Sequence, residues 1–210
     1  MQHRPTSRTA RAVAVALVLL AGAAAARAED VVVAEPKSGV KFAIATDGMT
    51  LLGTGLRTRT MLNVKVYAIG LYVDDAALKG PLAAFKGRTS ERDFAQQLMW
   101  GDFRRQVTMK FLRGVTADQI QGAFREVLTK TDPARTGAFV AYFPATKEGE
   151  EYTLRWEPGQ GLLTTVAGQA RPPINDKDFA ASVFGIWLGD KPIQEDIKKG
   201  LLSRSAQALP

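Results

Sequence analysis

Polar and apolar positions alternate with a period of two through the first half of the chain and change to helical spacing in the middle and at the end. The densest strand-forming run covers 64–74, where Val64, Val66, Tyr67, Ile69, Tyr72 and Val73 are β-branched or aromatic. Alternation there puts Lys65, Tyr67, Ile69 and Leu71 on one face and Val64, Val66, Ala68 and Gly70 on the other. Shorter strands are predicted at 31–34 and 40–45, broken by Glu35-Pro36-Lys37-Ser38-Gly39, and another opens at 49–52 after the Asp47-Gly48 turn. Asp74-Asp75 can cap a helix over 76–86, interrupted by Gly80-Pro81, and a second helix is signalled from Thr89 to Trp100. Residues 103–112 return to alternation, with Val107, Met109 and Phe111 opposite Thr108 and Lys110. Thr116 and Gln119 have capping-box spacing ahead of Ile120, Phe124, Val127 and Leu128, which fall on one helical face. A short helix over 133–143, a meander of strands at 151–156, 161–166 and 169–172, and closing helices over 176–188 and 193–202 complete the pattern. This order predicts an α+β domain with a mainly antiparallel sheet.

The N-terminus changes what the charge means. Arg4, Arg8 and Arg11 precede an apolar run over 12–20, and Ala26-Arg27-Ala28 has the small-x-small form of a cleavage site. Residues 1–28 therefore read as a secretory signal peptide, cut before Glu29, leaving 29–210 as a single periplasmic domain. The apolar run is short of the roughly 20 residues of a membrane span, although its small-residue tail leaves an uncleaved anchor open. The chain has no cysteine, which excludes lipid attachment to a cysteine at this site. Taking the leader's four arginines from the 28 basic residues leaves 24 against 21 acidic ones, a net charge of +3 rather than +7. Such a balance gives no argument for nucleic acid or an anionic membrane as partner.

The single histidine, His3, lies in the leader. Without His or Cys, the mature chain cannot build a Ser-His-Asp triad, a cysteine nucleophile or an ordinary zinc site. No metal and no cofactor is expected. Asp74-Asp75 and the cluster Glu148, Glu150, Glu151 sit at element ends among turn residues and read as caps. Gly53-Thr54-Gly55 lacks the third glycine of a dinucleotide loop and the Lys-Ser/Thr of a P-loop, and no helix follows it. It reads as a bend in a strand.

Arg57 is the residue that asks for an explanation. A permanent cation between apolar segments must be solvated, paired, or directed at an anion. Beside Tyr67 at one end of an apolar face, it would suit a carboxylate with an apolar tail. The plainer alternative pairs Arg57 with a surface acid and leaves Tyr67 as ordinary strand filling.

The segment Leu52-Gly53-Thr54-Gly55-Leu56-Arg57, followed by Val64 to Val73, resembles the chalcone isomerase superfamily, and most closely its bacterial, exported, chalcone isomerase-like branch. Phe184-Gly185-Ile186-Trp187-Leu188-Gly189-Asp190-Lys191-Pro192 is similar to that branch's closing segment. The resemblance spans roughly 39–203. It implies an open-faced β-sandwich: a large antiparallel sheet with helices layered on one face and a ligand cleft between them. The family's plant enzymes cyclise chalcones without a cofactor, using an arginine and a threonine on early strands and a tyrosine, a lysine and an asparagine from a central helix. By position, the arginine matches Arg57 and the threonine falls on Tyr67. The three helix groups land near Ala117, Ile120 and Phe124, and a further substrate-contacting threonine falls on Ile186. The arginine is kept, then, while most of the polar set has become apolar.

By that resemblance the expected function is binding of a fatty acid or similar amphipathic carboxylate, as in the family's non-catalytic members. Arg57 would partner the charge and Tyr67 donate a hydrogen bond, with Ile69, Ile120, Phe124, Ile186 and Trp187 as apolar lining. The alternative is a cofactor-independent isomerase or lyase acting on an enone or phenol, with Arg57 stabilising an oxyanion and Tyr67 as acid. A third reading is a structural protein whose cleft is filled by its own side chains.

Overall fold

Strand pairing in the computed structural model, which describes residues 31–59, 62–90 and 92–210, follows chain order. The expected leader and its cleavage site lie outside the described residues. Strands β1 (Val32–Ala34) and β2 (Lys41–Ala43) form a separate hairpin. The main sheet is an antiparallel meander of seven strands: β3 (Ala45–Thr46), β4 (Met49–Arg59), β5 (Val64–Asp74), β6 (Arg105–Phe111), β7 (Glu151–Glu157), β8 (Gly161–Val166) and β9 (Gln169–Ala170). Helices α1 (Asp75–Lys79), α2 (Arg92–Trp100), α3 (Ala117–Val127), α4 (Pro133–Val140), α5 (Lys177–Leu188), α6 (Glu195–Leu201) and α7 (Ser205–Ala208) complete the chain. This is the expected α+β architecture, with two local differences. The strand predicted over 40–45 is split between β2 and β3, and α7 has no signal in the sequence pattern, while the helix predicted over 76–86 is broken at Gly80-Pro81 as expected, with a 3₁₀ turn over Ala83–Phe85 beyond the break.

The caps read from the sequence at Asp74 and Thr116 start α1 and α3. Thr116 Oγ1 accepts from the Gln119 N–H while the Gln119 side chain accepts from the Thr116 N–H, closing the capping box of α3. Asp176 accepts from the Phe179 N–H at 2.9 Å and starts α5. The acidic clusters are caps and turns, as expected: Asp74 caps α1 and pairs with Arg104, and Glu150 accepts from the Lys147 N–H and the Thr146 hydroxyl. Eight of the twelve residues of α5 are buried, as an apolar helix at the centre of a layer requires.

Two cores flank β4 and β5. Leu71, Ile69 and Tyr67 face the helices in the main core, while Ala68 and Tyr72 face a smaller one with Phe42, Met49 and Leu51, roofed by the β1–β2 hairpin. The helix-bearing face of β4 carries Gly53 and Gly55, opposite Leu71 and Ile69, and α6 lies directly on them. A Cβ on Gly53 would come within 2.2 Å of the Gly200 carbonyl oxygen, and one on Gly200 within 2.3 Å of the Thr54 carbonyl oxygen. Gly53-Thr54-Gly55 is thus a bent strand segment made bare so that a helix backbone can touch it.

Replacing a helical glycine by alanine ordinarily stabilises by about 1 kcal/mol. Gly200→Ala should do the reverse and destabilise by about 1–3 kcal/mol, because the added methyl has no space. A lower denaturant midpoint with an unchanged slope is the expected result, and a midpoint at or above wild type would contradict the contact.

Candidate functional site

Arg57 and Tyr67 stand directly opposite each other across β4 and β5. Plain alternation would not put them on the helix-bearing face together. Leu51 pairs with Tyr72 on the hairpin side, but Leu52 is an unpaired extra residue, so the next pair is Gly53 with Leu71. This bulge moves every later odd-numbered residue of β4, Arg57 included, onto the face of Tyr67. A second shift leaves Val66 unpaired, since Thr58 pairs with Lys65. Simple alternation placed Lys65 with Tyr67 and Val66 opposite. The shift instead turns Val66 into the cavity and Lys65 to the hairpin, where its ammonium donates to the Lys37 carbonyl.

The Arg57 guanidinium is held by uncharged acceptors. Its Nη1 donates to the Ile193 carbonyl and to Gln194 Oε1, each at 3.3 Å. Among the described residues no carboxylate lies within ion-pairing distance of it, so the surface-acid alternative is not what the structure shows. Gln194 is the N-cap of α6, and its carboxamide docks on the edge of β4 as a peptide group would. Its Oε1 accepts from the Thr58 N–H at 3.2 Å and its Nε2 donates to the Leu56 carbonyl at 3.4 Å.

Tyr67 is 9% exposed, and its hydroxyl accepts a hydrogen bond from Trp187 Nε1 at 3.0 Å. With that lone pair occupied, the phenol's own proton finds no acceptor among the described side chains and backbone. Burial pushes the Tyr67 phenol above its ordinary range, against smaller opposing pulls from the Trp187 hydrogen bond and the Arg57 charge. The group is therefore a neutral donor at physiological pH. Trp187, read from the sequence as apolar lining, also supplies a polar contact.

Between this strand pair and the helices lies a pocket of about 70 Å³. It brings together Arg57, Tyr67, Ile120, Phe124, Ile186 and Trp187. Ile69 is the exception: it sits opposite Gly55, whose face Ile197 covers, and is wholly buried in the core away from the pocket. Tyr67, Phe111 and Phe124 line the pocket with rings, and Tyr152 and Phe143 lie behind them. Tyr67, Phe111, Tyr152, Phe143 and Phe124 form a continuous chain of ring contacts with centroids 4.7 to 5.7 Å apart. At its mouth, where Arg57, Arg59, Ala123 and Ile193 line both spaces, the pocket opens into a groove of about 750 Å³ that also carries Lys130 and Lys191 and the acids Glu126 and Asp190. Sequence reasoning passed over Arg59 and Gln119 at the rim. Arg59 follows Arg57 at strand spacing and could have been found that way; Gln194 had no local signal, because its partners are over a hundred residues away.

A helix-covered antiparallel sheet with an apolar pocket closed by aromatic rings and opened beside a cation defines an α+β domain of the ligand-cleft type. The chain belongs to the chalcone isomerase-like family, whose pattern matches residues 32–203. It is 28% identical over 177 residues to chalcone isomerase-like protein 1 of Humulus lupulus, covering 74% of this chain and 82% of that one. Fatty-acid-binding protein 2 of Arabidopsis thaliana is 25% identical over 194 residues, covering 79% of this chain and 48% of the relative. Chalcone–flavanone isomerase of Phaseolus vulgaris is 25% identical over 174 residues, covering 70% and 76%. In fold, the chain is similar to the crystal structure of a fatty-acid-binding protein of Arabidopsis thaliana, with a TM-score of 0.73 at 22% identity over 85% of this chain and 98% of that one.

The difference in phenolate absorbance between wild type and Tyr67→Phe should show a tyrosine that ionises above about pH 10. In Trp187→Phe the same phenol should ionise at still higher pH, since the lost hydrogen bond favoured the anion. A Tyr67 that ionises at or below the ordinary value would contradict its assignment as a buried, neutral phenol.

Proposed function

We propose that this protein binds a fatty acid or similar amphipathic carboxylate without transforming it, and that it does so in the periplasm, the destination its leader-like residues 1–28 suggest. One observation carries the reading: a guanidinium with no carboxylate partner among the described residues stands at the mouth of an apolar pocket, opposite a phenol with a proton to donate. The ligand's carboxylate takes the remaining Arg57 donors and the Tyr67 proton, and its alkyl chain lies against Ile120, Phe124, Ile186 and Trp187. The positions to which the resemblance assigns the enzymes' helix groups and closing-segment threonine are Ala117, Ile120, Phe124 and Ile186 here; the last three border the pocket and Ala117 does not. Nothing polar remains at them to orient a polyphenol. The names of the fatty-acid-binding relatives support the same reading.

The pocket's present size sets a condition. Sites for drug-sized ligands span about 300–1,000 Å³, so about 70 Å³ takes only a short stretch of hydrocarbon. A longer chain enters by displacing the Ile120 and Phe124 side chains of α3 or by lying along the groove. Each methylene it buries contributes about 0.8 kcal/mol, so affinity rises with chain length until that displacement stops.

A charge-assisted hydrogen bond is worth about 1.5–3 kcal/mol. Calorimetric titration with dodecanoate should accordingly give an affinity about ten- to a hundred-fold lower in Arg57→Ala, and a few-fold lower in Tyr67→Phe. An unchanged affinity in a folded Arg57→Ala variant would overturn the proposal.

A further inference from the structure

Both acceptors that hold Arg57 are neutral, and one of them did not need to be. Position 194 opens α6, where a carboxylate is favoured by the helix dipole, and a glutamate there has the same reach. It would accept from the Thr58 N–H as the glutamine does and close an ion pair with Arg57. We propose that Gln194 is a positioning residue for the anion site: it orients the Arg57 guanidinium while leaving its charge unneutralised for the ligand. This rests on the reading of Arg57 as the anion's partner.

The hydrogen bonds fix the orientation of the carboxamide. With Nε2 donating to the Leu56 carbonyl, Oε1 must face the Thr58 N–H and Arg57 Nη1; the flipped amide would set donors against both. The side chain is thus anchored to β4 at two points, and Arg57 is aimed by something that cannot itself swing. The nearby acids do not take over the pairing. Asp196 pairs with Lys37 of the β1–β2 turn at 3.3 Å, Asp190 pairs with Arg92, and Glu195 is exposed. The groove's other charges are Arg59, Lys130 and Lys191 against Glu126 and Asp190, which leaves the field positive, and neither acid pairs with Arg57.

The test uses two probes of equal tail, dodecyl sulfonate (anionic at every accessible pH) and dodecanol (neutral), titrated into wild type, Gln194→Glu and Gln194→Met. Wild type should prefer the sulfonate. In Gln194→Glu the sulfonate should bind about ten- to a hundred-fold more weakly, with dodecanol changed by no more than about two-fold. Gln194→Met, which loses the acceptor without adding charge, should lose a few-fold for the sulfonate alone. A folded Gln194→Glu that binds sulfonate as wild type does, or loses both probes equally, overturns the role of Gln194 and leaves that of Arg57 intact. A wild type with no preference for the sulfonate overturns both. If circular dichroism shows that the glutamate variant does not fold, the methionine variant decides: a reduced sulfonate preference with dodecanol retained supports the role, and an unchanged preference or a loss of both probes refutes it.

Discussion

The pairing of β4 with β5 is the constraint on which the site depends. A strand has a period of two, so a single extra residue decides which face all later side chains occupy. Leu52 is that residue. It puts the bare positions Gly53 and Gly55 under α6, and two residues further on it puts Arg57 opposite Tyr67. Because α6 can touch the strand backbone there, its N-terminus arrives beside Leu56 and Thr58, where Gln194 reaches both. The bulge, the helix contact and the aimed arginine are consequences of one register.

A second arginine shows what the fold does with a cation it uses only for structure. Arg105 is fully buried on β6, and its guanidinium donates to the carbonyls of Met99 and Gly101 at the end of α2 and to that of Phe103. The Phe184 ring lies 4.7 Å from its guanidinium carbon and the Trp156 ring 5.7 Å away. Burial pulls its pKa down to about 10, still far above physiological pH. Carbonyls at a helix end and aromatic faces absorb that charge. Arg57 has two neutral acceptors on one nitrogen and is half-buried at a mouth. The contrast lies in how many donors are already committed.

Much of the fold was legible because its signals are local. The capping box at Thr116, the Asp74 cap of α1 and the alternation of β6 each depend on neighbours within a few residues. The site was legible in part for the same reason: Arg57 and Tyr67 bracket one hairpin, and the helical spacing of Ile120 and Phe124 places both on one face. Where alternation alone was followed, it misplaced Lys65 and Val66, since a bulge is set by the partner strand and by what packs on it. Ile69 was misassigned because α6 covers that stretch of sheet. Gln194 was invisible, since its meaning depends on the open edge of a strand far away in sequence.

That open edge has a consequence for the molecule in company. Beyond Thr50, the outer edge of β4 has no strand beside it among the described residues, which makes it the kind of border on which a second chain can add itself. Gln194 occupies it at Leu56 and Thr58, and the Arg204 N–H occupies it at the Leu52 carbonyl. The last strand at the other border, β9, is two residues long. A sheet finished in this way offers little purchase for intermolecular strand pairing. The carboxamide that holds Arg57 therefore also occupies backbone groups that an incoming strand would otherwise pair with.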